Sequence, residues 1–327
     1  MPNFEGSSVL ITGGTGSFGK AFLQDVLESD SPARVAVYSR DELKQYEMRL
    51  QYGDDPRVRF FIGDIRDRER LEMAMHGVDY VVHAAALKQV DTAEYNPMEY
   101  VKTNILGSEN VMLAAIGAGV KKVVALSTDK ASSPVNLYGA TKLTADKLFI
   151  SGNHYSYARG TRFAVVRYGN VMGSRGSVIP FFRSLTERGE PLPITDDRMT
   201  RFWITLPQAV QFVKDCFQTM DGGELYVPRI PSMRVIDLAE AVAPGSATIE
   251  VGIRPGEKLH EEMISAEDAR RTLRLPDRYV VTPTLAEWTF RSPEGEPVED
   301  GFAYTSDTND MRLSVDDIRV MLDDLGL

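Results

Sequence analysis

The chain has almost no cysteine: Cys216 stands alone among 327 residues. No intrachain disulfide can form, and a reducing compartment fits. Its place in the apolar helical run 208–217 reads as a packing residue. Histidine is scarce as well. His76, His83, His154 and His260 lack metal-ligand spacing, and His260-Glu261-Glu262 lacks the second histidine of a zinc-protease helix, so no metal site is expected. Long apolar runs are missing, with nothing near the ~18 residues of a membrane span. The first seven residues are polar and lead straight into a strand, so no signal peptide is expected and the reading is cytoplasmic. Positive charge is in deficit, with a net charge of -10. An acidic chain attracts neither phosphate backbones nor anionic lipids, which argues against a general nucleic-acid or membrane-surface partner. A small anionic ligand needs only a few local cations and stays open. Internal repeats, low-complexity tails, a G-x-S-x-G elbow and Walker spacing are all absent.

What is present is a regular alternation of short apolar runs and helical patterns. Strands are predicted at 8–12, 34–38, 58–62, 78–83, 122–127 and 162–167. Helices are predicted at 17–29, 43–51, 68–75, about 97–118 and 138–149. Near-continuous apolar strands alternating with helices predict a doubly wound, Rossmann-type parallel α/β sheet. After Arg167 the pattern loosens, 191–200 reads as a turn-prone loop, and 225–227 is expected to return a strand to the main sheet. The expected division is a cofactor-binding domain over 1–168 with a return segment near 203–228. A smaller mixed α/β substrate domain is expected over 169–202 and 229–327.

Between the first strand and helix stands Thr12-Gly13-Gly14-Thr15-Gly16-Ser17-Phe18-Gly19, with glycines at G-x-x-G-x-x-G spacing. Gly13 suits the tight turn, Gly16 the close approach of a pyrophosphate, and Gly19 close helix–strand packing. The helix N-terminus offers N–H donors to phosphates, with Thr15, Ser17 and Phe18 alongside. The second strand ends in Ser39-Arg40-Asp41, where an NAD site usually has a carboxylate for the ribose 2′-hydroxyl. A hydroxyl with Arg40 and Lys44 fits a 2′-phosphate, so NADP is expected ahead of NAD; Asp41, one residue out of register, keeps NAD open. Asp64 and Ile65 follow the third strand, where the adenine would lie. Ala84, Ala85 and Ala86 end the fourth, small enough for the chain to run close to a cofactor.

Tyr138-Gly139-Ala140-Thr141-Lys142 puts a tyrosine and a lysine on one helix face. A phenol with a pKa near 10 is a poor base at neutral pH, and a neighbouring ammonium and an oxidised nicotinamide would favour its phenolate. The preceding strand ends in Ser127-Thr128-Asp129-Lys130, at the carboxyl edge where such sheets build their sites.

With these residues the chain resembles the extended short-chain dehydrogenase/reductases, and among them the nucleotide-sugar 4,6-dehydratases. Retaining members carry Thr-Asp-Glu after the fifth strand; Thr128-Asp129-Lys130 instead resembles the inverting UDP-N-acetylglucosamine 4,6-dehydratases of pseudaminic acid synthesis, a polysaccharide pathway. The likeness runs through Ser39–Lys44, Ala84–Val90, Glu94–Pro97, Lys102–Asn104, Leu126–Lys130, Asn136–Lys142, Arg167–Val171, Gly173–Phe182, Met199–Thr205 and Ile253–His260. It implies a lyase that oxidises C4, eliminates water across C5–C6 and returns the hydride at C6, recycling a tightly held NADP. The implied product is UDP-2-acetamido-2,6-dideoxy-β-L-arabino-hexos-4-ulose. The implied roles are Tyr138 as base for C4 oxidation, supported by Lys142 and Thr128, Asp129 as acid to the C6 hydroxyl, and Lys130 as base at C5. A lysine base requires a lowered pKa, which desolvation and the oxidised cofactor would supply. Lys88 and Val171 would join the cofactor site. Lys88, Asn170, Val178, Ile179, Thr195, Arg201, Arg254 and Asn309 would hold the UDP-sugar, with the turn from Gly176 near the uridine. A hexamer is implied by analogy. Two other readings stay open: a nucleotide-sugar epimerase or retaining dehydratase on the same scaffold, and a non-catalytic NADP-binding sensor.

Overall fold

The computed structural model describes residues 4–173, 178–286, 288 and 290–326. Five βα steps and a sixth strand open the chain. They are β1 (Ser8–Thr12), α1 (Ser17–Ser29), β2 (Arg34–Ser39), α2 (Glu42–Tyr52), β3 (Val58–Ile62), α3 (Arg68–Ala74) and β4 (Tyr80–His83). There follow α4 (Val90–Tyr95), α5 (Pro97–Tyr100), a π-turn (Val101–Leu106) and α6 (Gly107–Ala118). Then come β5 (Lys122–Thr128), a 3-10 turn (Asp129–Ala131), α7 (Leu137–Tyr155) and β6 (Arg162–Tyr168). The pieces beyond are β7 (Asn170–Val171), α8 (Val178–Glu187), β8 (Leu192–Ile194), β9 (Thr200–Ile204), α9 (Leu206–Thr219) and β10 (Leu225–Pro228). The C-terminal part holds β11 (Ser232–Arg234), α10 (Val235–Val242), β12 (Thr248–Glu250), β13 (Glu262–Ile264), β14 (Thr272–Arg274), β15 (Arg278–Val281), β16 (Glu296–Pro297), β17 (Tyr304–Thr305) and α11 (Val315–Asp324).

The main sheet runs β16-β14-β15-β10-β6-β5-β4-β1-β2-β3. The stretch from β10 to β3 is parallel throughout, and β1 is buried at every position because helices cover both faces. The order reverses at β1 and β4, so the crevice between their carboxyl ends is the cofactor position of a doubly wound sheet. The returning strand expected at 225–227 is β10, and it pairs with β6. Antiparallel β15, β14 and β16 then extend the same sheet, although their sequence positions fall in the expected substrate domain. Val280 and Val281 are buried there with the main core, and that burial draws the segment across.

Local chemistry sets several boundaries. Asp41 and Asp67 cap α2 and α3 through their carboxylates, each worth about 1 kcal/mol. Asn136 accepts from Gly139 N and starts α7, which runs six residues past the predicted Phe149 end, to Tyr155. The single helix predicted over 97–118 is instead broken by the π-turn. There Asn104 turns inward, accepting from Leu87 N at 2.9 Å and donating to Leu87 O at 2.9 Å and Thr141 Oγ1 at 3.0 Å. The amide is buried and finds its partners outside the helix, which is where an irregular turn pays off. The predicted loop 191–200 contains β8, paired with β12. A second apolar cluster, including Met172, Ile179, Trp203, Met233, Leu238 and Ile318, holds the smaller part together. Among the described residues no helix is long and apolar enough to cross a membrane.

Candidate active site

The turn after β1 is built for close backbone approach. Gly13 has φ +67°, and a Cβ there would lie 2.8 Å from Ala85 N, so the β4 edge and the glycine turn lie back to back. A Cβ on Gly19 would meet Gly14 Cα at 2.5 Å, which fixes how closely α1 follows the turn. Gly16 precedes α1, Ser17 begins it, and the Phe18 ring stacks on Phe22. Thr15 Oγ1 and Ser39 Oγ share a hydrogen bond of 2.8 Å, tying the turn to the end of β2. Beneath it, Thr12 Oγ1 bonds His83 Nδ1 at 2.7 Å, and Ser108 Oγ lies 3.3 Å from His83 Nε2. Burial pushes the His83 pKa down to about 3, so this imidazole is neutral.

At the end of β2 the carboxylate in question is already engaged. Asp41 caps Lys44 N at 3.0 Å and pairs with Lys44 Nζ at 2.6 Å. Arg40 reaches Asp64 Oδ2 at 3.5 Å, and Arg66 binds the same carboxylate at 2.7 Å. Ile65 is buried, Ala84 and Ala85 are half-buried, and Ala86 and Lys88 are exposed beyond β4.

The catalytic candidates converge at the ends of β5 and α7. Thr128 Oγ1 donates to Asp129 Oδ1 at 2.8 Å, and Lys130 Nζ lies 3.2 Å from the same oxygen. Asp129 is 1% exposed, and its Oδ2 is buried without a hydrogen-bond partner among the described residues. Tyr138 and Lys142 are buried on one face of α7. Burial raises the Tyr138 phenol to about 12, while Lys130 and the Thr128 hydroxyl pull the other way and Asp129 adds to the rise. Lys130 is thus the cation acting on Tyr138. Lys142 donates to Leu126 O at 2.7 Å, and burial lowers its pKa against the pull of Asp146.

Lys130 departs from expectation. Burial alone would lower its pKa, but the carboxylates of Asp129 and Glu261 outweigh burial and hold it above the ordinary lysine value. Glu261 Oε1 lies 3.1 Å from Lys130 Nζ, and Glu261 is 2% exposed. The sequence offered no signal for that pairing, because Glu261 comes from a segment far along the chain. The segment is fastened to the catalytic turn by Lys258 Nζ to Ser132 O (2.6 Å), Asn136 Nδ2 to Gly256 O (2.7 Å) and Ser132 Oγ to Glu262 Oε1 (2.7 Å).

The expected sugar-nucleotide residues divide. Asn170 and Val171 form β7 beside β9, and Asn170 Oδ1 is buried and has no partner among the described residues, so it could accept from a ligand. Val178 and Thr195 are half-buried and Arg254 is exposed. Gly176 lies outside the described residues. Ile179 is fully buried in the second apolar cluster, which leaves only its backbone for a ligand. Arg201 donates to Thr200 O, Leu259 O and Lys258 O, at 2.7, 3.1 and 3.0 Å, and stands 3.7 Å from Glu261 Oε1. It braces the Glu261 segment. Asn309 Nδ2 donates to Ile230 O at 2.9 Å and Met311 O at 3.2 Å, holding the turn after β17. Asn104, part of a family-like run with no role assigned by the sequence, is a positioning residue that only the π-turn and its bonds to Leu87 and Thr141 reveal.

A doubly wound sheet, a glycine turn at its switch point and a buried Tyr-x-x-x-Lys face define a short-chain dehydrogenase/reductase fold and site. The chain belongs to the polysaccharide biosynthesis protein family, whose pattern matches residues 9–283. It is 52% identical over 94% of both chains to the UDP-N-acetylglucosamine 4,6-dehydratase (inverting) of Campylobacter jejuni subsp. jejuni serotype O:23/36. It is also 41% identical, over 98% of this chain and 96% of the other, to the UDP-glucose 4-epimerase of Rickettsia canadensis. Among solved structures, Pen from Bacillus thuringiensis superposes with a TM-score of 0.92 at 38% identity, covering 99% of both chains. DesIV, a dTDP-glucose 4,6-dehydratase from Streptomyces venezuelae with NAD and TYD bound, gives 0.68 at 27% identity, over 77% of this chain and 86% of that one.

Proposed function

We propose that this chain is a C5-inverting UDP-N-acetylglucosamine 4,6-dehydratase, a hydro-lyase that recycles a tightly held NADP. The observation that carries the reading is the contact of Lys130 Nζ with Asp129 Oδ1, beside the buried Tyr138 on α7. A lysine thereby occupies the position next to the acid, and the 52% identical inverting relative supports the same assignment.

The residues fit the dinucleotide. The Gly13–Gly19 turn and the N-terminus of α1 would take the pyrophosphate, since a side chain at Gly13 has no room. Ser39, Arg40 and Lys44 would take a 2′-phosphate. Asp41 is spent on its cap and on Lys44, which weakens its claim to a ribose hydroxyl and favours NADP. Bound NADP supplies a hydride acceptor for C4 and a donor for C6. Tyr138 removes the C4 hydroxyl proton; Lys142 and Thr128 position it. Asp129 gives a proton to the departing C6 hydroxyl, and Lys130 takes the C5 proton. Its charge must first be relieved. Asn170 and Arg254 would contact the sugar nucleotide. We assign cofactor binding to residues 1–168 with the return segment 203–228, and substrate binding to 169–202 and 229–327.

Incubation with UDP-N-acetylglucosamine in deuterium oxide, followed by NMR, tests this. The expected product is a 4-keto-6-deoxy sugar carrying deuterium at C5 in the inverted configuration. A second reading, UDP-sugar 4-epimerase, is favoured by the Rickettsia relative. Release of UDP-N-acetylgalactosamine with no 4-keto product would establish it and overturn the first.

A further inference from the structure

Glu261 has no part in the roles assigned above, yet it is a buried partner of the proposed C5 base, 2% exposed. Its Oε1 is 3.1 Å from Lys130 Nζ and 3.7 Å from Arg201 Nε. Its Oε2 is buried with no hydrogen-bond partner among the described residues. The backbone around it is locked: Glu261 N donates to Ser306 Oγ at 2.9 Å, and Ser306 N donates to Glu261 O at 2.8 Å. Thr200 Oγ1 meets Ser306 Oγ at 2.7 Å and fixes that hydroxyl in turn. At 3.1 Å the Glu261 carboxylate is within direct proton-transfer reach of the Lys130 ammonium.

We propose that Glu261 is the positioning residue and internal proton acceptor for Lys130, with Oε1 taking the proton from Nζ when the sugar fills the site. The proposal rests on the dehydratase reading. In the step one N–H bond breaks and one O–H bond forms. The ion pair becomes an amine and a carboxylic acid with no net change of charge. Asp129, ionised at rest, first receives through Tyr138 and Thr128 the proton released in C4 oxidation; it then protonates the leaving C6 hydroxyl as the amine lone pair takes the C5 proton and the C–H electrons form the C5–C6 double bond. In a dry site an ion pair loses its advantage over the neutral pair, so closure over a ligand promotes the transfer. The charged or titratable neighbours are Asp129, Arg201, Lys258, Glu262 and Tyr138. Asp129 and Glu261 keep the resting ammonium charged. Arg201 opposes it.

The pair holds a constant number of protons during the transfer, so the wild-type turnover number should be nearly flat from pH 6 to pH 9, bounds we set at roughly the range between carboxylate and lysine titration. Glu261→Gln keeps the size but cannot accept the proton. Its elimination rate at pH 7 should fall about 100-fold and rise about tenfold per pH unit, because Lys130 must then lose its proton to solvent. KM should change little, and cofactor reduction at 340 nm, which reports C4 oxidation, should persist. Glu261→Asp should restore a flat profile. A Glu261→Gln profile parallel to wild type at every pH would overturn the proposal. The coupling is also read without substrate, by NMR titration of isotope-labelled lysine: the Lys130 resonance should titrate at lower pH in Glu261→Gln, and an unchanged titration would overturn it. Failure of wild type to turn over UDP-N-acetylglucosamine would instead count against the dehydratase reading, leaving the titration to decide the coupling.

Discussion

Arg167 Nη2 meets Asp146 Oδ2 at 3.0 Å beneath the catalytic helix, and both side chains are buried. Ser127 Oγ donates to the same oxygen at 2.8 Å, and Arg167 Nη1 donates to Met263 O at 2.9 Å. One ion pair therefore joins β5, β6, α7 and the segment that delivers Glu261. Asp146 also lies one turn after Lys142 and supports its charge.

Asp146→Asn should cost about 3 kcal/mol or more, because it leaves the Arg167 cation buried without its counter-charge. Urea unfolding measures this. Replacing both partners, Asp146→Leu with Arg167→Met, should recover most of the loss. Equal destabilisation by the double variant would show that packing, and not charge, holds the joint.

His83 makes a pH prediction whose sign follows from its burial. Its folded pKa is about 3 against an ordinary 6.5, so protons favour the unfolded chain. Stability is fully present above pH 6.5 and is lost as pH falls toward 3, by about 5 kcal/mol over that window at 1.36 kcal/mol per unit. In His83→Gln this part of the acid slope should vanish. Comparing urea midpoints from pH 7 to pH 4 tests it, and parallel slopes would contradict the assignment.

The two halves of the proposed reaction should separate. Tyr138→Phe should abolish cofactor reduction on addition of UDP-sugar, a loss of roughly 100-fold or more. Asp129→Asn should still reduce the cofactor while product formation falls by a similar factor, because only the leaving hydroxyl lacks its acid. Absorbance at 340 nm and NMR of the product give the two readouts. An Asp129→Asn variant with unimpaired product formation would remove that residue from the role.

Cofactor choice should follow Ser39, Arg40 and Lys44. Arg40→Ala with Lys44→Ala should weaken NADP by about 1–3 kcal/mol, the worth of charge-assisted bonds, and leave NAD nearly unchanged. Calorimetric titration of the apo-protein would detect it; an equal loss for both dinucleotides would place the 2′-group elsewhere.

Much of the frame was legible in the residue order. Buried strands announced themselves as apolar runs, and β1, β2, β5 and β6 lie within a residue of their predicted ends. The helix predicted over 97–118 did not survive, because the buried amide of Asn104 takes its partners from Leu87 and Thr141 and locally widens the helix. Arg201, within the run Met199–Thr205, and Asn309 are expected as ligand contacts through the family resemblance. In the fold their donors also reach neighbouring carbonyls, a second use that no linear pattern signals.

By itself the sequence determined what depends on neighbours along the chain. The glycine turn needs only consecutive residues, Tyr138 and Lys142 share a face through helical spacing, and Asp129 and Lys130 are adjacent. The tertiary structure decided what depends on remote charge. Lys130 is expected to be eased toward its base form, yet folding brings Glu261 against it and keeps it protonated. Charge interactions in a dry interior are set by distance through space, and separation along the chain says nothing about that distance.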